Sequence, residues 1–256
     1  MANDQTSQTA TLVQGDGTAA NPSTITIHVA SPGIDHTFTT TGNVQGLQDA
    51  TFNGVPISNL GDTATDTLFT NLGIVKDGND VLVLDNSGSL SASNYGIWSH
   101  TDANGNVTVG AFSTGTPTSA ADMATLSASG ATATYAGSAV GTGSTAGQNF
   151  NVVGTSNWTA NFGSREVDWT ASLSTIAADG SVAKGPVLSG TGSFTSGTPK
   201  FAGMVTSSGT SELVPTQLSG SMAGSVYGGG AQEIGNVFSV AGGQTKIIGA
   251  AGGVKQ

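Results

Sequence analysis

The chain has 256 residues, 39 of them glycine, with no cysteine and a formal charge of −10 at pH 7. That length holds one large or two modest domains, and without cysteine no disulfide framework, thiolate metal site or cysteine lipid anchor is expected within these residues. Six Lys and Arg against sixteen Asp and Glu argue against nucleic acid or an anionic membrane as partner, and no apolar run approaches the roughly 18 residues of a membrane helix.

The charge divides the chain. Residues 1–150 carry eleven Asp and a single base, Lys76, whereas residues 151–256 carry five acids and five bases. Two regions are expected, 1–125 and 126–256. Met1-Ala2-Asn3 has no apolar signal core, so a start at a mature N-terminus is expected. An acidic surface rich in Thr, Ser and Gly suits an exported, soluble β protein.

In chain order, residues 23–29 alternate, with Ile25, Ile27 and Val29 on one face and Thr24, Thr26 and His28 on the other. The Ser31-Pro32-Gly33 turn then leads into Ile34-Asp35-His36-Thr37-Phe38. A helix is predicted from Asp62 or Thr63, with Leu68, Phe69 and Leu72 at helical spacing and Gly73 as its stop. Val81-Leu82-Val83-Leu84 reads as a central strand. Residues 94–100 and 106–112 flank Asp102-Ala103-Asn104-Gly105, a hairpin signal. The Thr/Ser/Ala-rich residues 113–129 are expected to carry the domain boundary.

The second region reads as eight short strands: 131–141, 150–162, 166–176, 186–194, 199–208, 215–228, 233–242 and 245–253. Gly, Asn, Asp, Pro or Ser punctuate nearly every gap. Alternation is clearest at Trp158/Ala160/Phe162 and Val167/Trp169/Ala171/Leu173. Eight such strands suit an up-and-down β-barrel filled by its own side chains, and closure removes exposed sheet edges.

No nucleophile elbow, phosphate-binding loop or H-E-x-x-H motif is present, so an enzyme is not expected. Asp77-Gly78-Asn79-Asp80 followed by Asp85 hints at calcium but is too short for an EF-hand loop. All three histidines, His28, His36 and His100, fall in the first region. His28 shares a polar strand face with Thr24 and Thr26 and is expected to be solvated. His36 follows a turn, and Trp98 and His100 share a strand face. Imidazole is a good axial ligand for haem iron, and without C-x-x-C-H any haem b would be held non-covalently. His36 and His100 are the expected iron ligands, in an apolar shell drawn from Phe38, Val44, Leu47, Phe52, Val55, Ile57, Leu68, Phe69, Leu72 and Trp98. An ordinary apolar core fits the same residues. Lys76 is the one nearby base by sequence, so propionates are expected at the solvent edge.

The last forty residues carry a resemblance. Tyr227, Gly228, Ala231, Glu233, Gly235 and Phe238 match the phrase G-x-F-Y-G-P-x-A-x-E-x-G-G-x-F, followed by V-F-G-A, that closes the barrel in transferrin-binding protein B and its relatives. Gly229 or Gly230 stands where those proteins often have Pro, and Asn236 replaces a Gly. The resemblance implies a β-rich handle with a short helix followed by an eight-stranded barrel. It further implies a secreted, haemophilin-like haemophore of a Gram-negative bacterium, exported through the surface lipoprotein assembly modulator. Such a protein takes haem, in some cases from haemoglobin, and delivers it to a TonB-dependent receptor in the outer membrane. The alternatives are a module that binds transferrin, haemoglobin or a complement regulator, and an adhesion or symbiosis factor without a small-molecule ligand.

Overall fold

In the computed structural model, residues 8–13, 20, 23–29, 34–39, 45–46, 51–57 and 72–256 are described. The first region forms strands β1 (Gln8–Val13), β2 (Thr24–Val29), β3 (Ile34–Thr39), β4 (Gln45–Gly46), β5 (Thr51–Phe52), β6 (Val55–Pro56), β7 (Leu72–Asp77), β8 (Asp80–Asp85), β9 (Ser93–Thr101) and β10 (Val107–Gly115). They make a three-stranded sheet β1-β2-β3, a five-stranded sheet β10-β9-β8-β7-β4 and the small hairpin β5-β6. Helix α1 (Ala120–Ala128) follows. Strands β11 (Thr132–Thr145), β12 (Gln148–Asn161), β13 (Glu166–Ile176), β14 (Val182–Phe194), β15 (Lys200–Ser208), β16 (Ser219–Tyr227), β17 (Glu233–Gly242) and β18 (Thr245–Lys255) then close a barrel in sequence order. Antiparallel pairing of β11 with β18, from Tyr135 opposite Lys255 to Thr145 opposite Thr245, seals it.

The alternation read from the sequence decides which side chains fill the barrel. Trp158, Phe162, Val167, Trp169, Phe201, Met222 and Phe238 all point inward and are at most 2% exposed. Trp169 and Phe238 meet with ring centroids 5.2 Å apart, and Phe194 meets Phe201 edge-on at 5.6 Å. The indole N–H groups find partners inside the wall. Trp169 Nε1 donates to Ser156 Oγ at 2.6 Å, and Trp158 Nε1 to Asn236 Oδ1 at 3.0 Å.

The five-stranded sheet is apolar on both faces, as the run at 81–84 requires. One face, with Leu72, Ile74, Val83, Tyr95, Ile97, Val109 and Ala111, packs on the outer wall of the barrel at Val140, Val153, Ile176, Ile248 and Ala250. The other face, with Val75, Leu82, Leu84, Trp98 and Phe112, is covered by Ile25, Ile27, Val29 and Phe38 of the three-stranded sheet. The order of layers is therefore barrel wall, five-stranded sheet, three-stranded sheet.

The block that carried the resemblance is the joint between handle and barrel. Glu233 is 2% exposed. Its Oε1 accepts hydrogen bonds from Ser91 N (2.7 Å), Ser91 Oγ (3.0 Å) and Ala92 N (3.0 Å), and its Oε2 from Ala92 N (3.2 Å) and Ser93 Oγ (2.6 Å). Tyr227 bonds Ser113 Oγ through its hydroxyl at 3.0 Å, and burial pushes that phenol up to about 12. Gly228 N donates to Thr116 O at 3.0 Å, and Ala231 O accepts from Tyr135 Oη at 2.9 Å. At Gly252 a Cβ would overlap the Tyr95 ring, so the sheet approaches the wall where the wall has no side chain.

The helix predicted from Asp62 or Thr63 lies outside the described residues, apart from its last member, Leu72, which opens strand β7. The helix among the described residues is α1, within the stretch expected to be only a boundary. Ser119 caps it, its Oγ accepting from Asp122 N at 3.1 Å, and Asp122 lies in the first turn. Gly130, with φ of 65°, follows its end. The helix spans the 125/126 line drawn from the sequence, and its Met123 packs with the barrel core.

Candidate functional site

The register of β8 and β9 places Asp80 opposite His100 and Leu82 opposite Trp98. With the period of two, Asp80, Leu82, Trp98 and His100 all face the three-stranded sheet. On β3, His36 and Phe38 share a face, and Phe38 packs against Trp98's layer. His36 therefore drops onto the same spot from the opposite sheet. Its Nδ1 donates to Asp80 Oδ2 at 3.1 Å, and His100 Nδ1 donates to Asp80 Oδ1 at 2.7 Å. The two imidazole centroids lie 4.8 Å apart, tilted by 46°, and His36 stacks on Trp98 at 5.3 Å. His36 is buried, at 7% exposure, while Asp80 and His100 keep 22% and 31%. Among the described residues these three form a cluster whose ligating atoms all lie within 4.8 Å of one another.

The sequence named two of the three. The sequence shows Asp80 only as part of an acidic turn, with the exposed Asp77 as its direct partner across β7 and β8. The missing signal was cross-strand: pairing 80–85 against 94–100 puts Asp80 beside His100. His28 is exposed as expected and bonds Asp35 at 2.6 Å.

The expected haem shell is divided by the sheet. Phe38 and Trp98 lie in the layer between the two sheets, whereas Phe52, Ile57 and Leu72 lie in the layer against the barrel. Val55 is buried on the β5-β6 hairpin, held where Asn151 Nδ2 donates to Val55 O at 3.1 Å. Leu47, Leu68 and Phe69, with Val44, lie outside the described residues. Phe38, Phe52 and Trp98 are fully buried against protein. Two imidazoles on opposite faces of a porphyrin place their bonded nitrogens about 4 Å apart with the ring bodies outward, so their centres stand farther apart than 4.8 Å. His36 and His100 instead turn toward one carboxylate between them. As arranged, the pair does not fit haem with two axial histidines.

No protein-family model matches the chain, and no curated protein matches it. Solved structures do. Intact transferrin binding protein B with N and C lobes superposes with a TM-score of 0.53 at 15% identity, over 91% of this chain and 52% of the other. A transferrin binding protein B variant from Haemophilus parasuis gives 0.54 at 15% identity, over 91% and 51%. The isotype 1 protein from serogroup B Neisseria meningitidis gives 0.52 at 19% identity, over 72% and 36%. The chain has the transferrin binding protein B fold. It spans about half or less of the length of these proteins. In this fold the six matched residues of the closing block line the joint or the barrel core: Tyr227, Gly228, Ala231 and Glu233 as described, Gly235 against Ser113, and Phe238 against Trp169.

Proposed function

We propose that the chain is a non-enzymatic capture module that holds a host iron-carrier protein of the transferrin class on the outer surface of its handle. The observation that carries this reading is that both interiors of the described structure are filled by their own side chains. Trp158, Trp169, Phe162 and Phe238 occupy the barrel, and Phe38, Trp98, Leu82 and Ile27 occupy the handle, all at most 2% exposed. Recognition then falls to the outside, where a protein partner binds. The transferrin binding proteins that share the fold supply the partner class. The one handle and one barrel described superpose on about half of the two-lobed protein.

In this proposal the barrel is the platform and the handle the reader. The module acts outside a Gram-negative cell, where a TonB-dependent receptor consumes the captured iron. No helix among the described residues is long and apolar enough to cross a membrane. The test is interferometry of the immobilised chain against purified transferrin, with a hemin titration beside it. Saturable one-to-one binding to transferrin, with a hemin spectrum that never saturates, is expected. A Soret band saturating at one equivalent without transferrin binding would replace this reading with a haem carrier.

A further inference from the structure

We propose that His36, Asp80 and His100 form a binding site for a single divalent transition-metal ion of the zinc type. Three observations converge. The donor set is two imidazoles and one carboxylate, the chemistry that suits zinc and its first-row neighbours but not calcium or magnesium, which take oxygen. The geometry is close to closed: each Nδ1 already lies 2.7 or 3.1 Å from a carboxylate oxygen, and all three ligating atoms fall within 4.8 Å. Ligands sharing one ion at roughly 2.0–2.1 Å stand about 3–3.5 Å from one another, so small shifts of side chains suffice.

The third observation is placement. The ligands come from three strands in two sheets, β3 on one side and β8 with β9 on the other. Trp98 stacks under His36 and closes the inner side, while His100 keeps 31% exposure and leaves an approach from solvent. A fourth position stays open to water, as in zinc sites with three protein ligands. An ion here replaces the shared hydrogen bonds to Asp80 with metal bonds and ties the three-stranded sheet to the five-stranded sheet. The inference does not depend on which protein the handle captures.

The experiment is calorimetric titration of the untagged, chelator-stripped chain with zinc sulfate. One equivalent is expected to bind. His36→Gln and His100→Gln are each expected to weaken binding by roughly 100-fold or more, beyond the loss typical of an outer-shell partner, and His28→Gln to leave it unchanged. Circular dichroism checks that each variant folds. Should His36→Gln fail to fold, cobalt(II) decides: a four-coordinate visible band in the wild type that is lost in His100→Gln supports the site. No zinc uptake by the wild type, or uptake unchanged in His100→Gln, overturns it.

Discussion

Glu233 accepts five hydrogen bonds from the 91–93 segment with one buried carboxylate. Hydrogen bonds to an ionised group contribute more than neutral ones, and leaving buried N–H groups unpaired costs the full desolvation. Glu233→Ala is expected to cost about 3 kcal/mol in urea unfolding. Asp85 tests the opposite sign. Burial, the largest cause, raises its carboxyl above the ordinary value of 3.8, against the hydrogen bonds of Ser87. A raised folded value means the folded state holds the proton longer, so this group lowers stability as pH rises above 3.8. Asp85→Asn is therefore expected to gain stability relative to wild type as pH rises from that value toward 7, read from denaturation midpoints at each pH. The closing-block phrase singled out Glu233 by spelling alone; its role needed the handle in place. Asn236, which departs from that phrase, turned out to accept the Trp158 indole bond, while its Nδ2 has no hydrogen-bond partner.

At the level of elements, strands were readable wherever alternation was strict. Those drawn at 166–176 and 233–242 have the same limits in the structure, and the other six barrel strands overlap their predicted spans. One of the larger shifts is at β14, which begins at Val182 where 186 is drawn. There the pairing with β13 slips between Ser172 and Ser174, and such an irregularity leaves no periodic trace. Helix α1 was missed because Ala, Ser and Thr give it no apolar stripe; the Ser119 and Asp122 pair was its readable sign. The handle sheet meets the barrel along a wall built partly from glycine. Gly252→Val pushes into Tyr95 and is expected to lower stability by about 2 kcal/mol through overpacking, without changing the barrel's circular dichroism.

Across the whole molecule, the layers explain why a chain with so few charges holds two units together. The barrel wall under the handle is apolar at Val140, Val153, Ile176, Ile248 and Ala250, all at most 4% exposed. A fragment of residues 118–256 is expected to keep its β spectrum but to self-associate through this uncovered wall, visible by size-exclusion chromatography. The sequence revealed the barrel because each strand carries its own pattern. It did not reveal the site in the same way, because Asp80 joins the histidines only through register and through the stacking of one sheet on another. The most direct test of handle-based capture is hydrogen exchange of the chain with and without transferrin. The account predicts added protection within residues 8–115 and little change in residues 132–255. Protection confined to the barrel, or none at saturating transferrin, would contradict it.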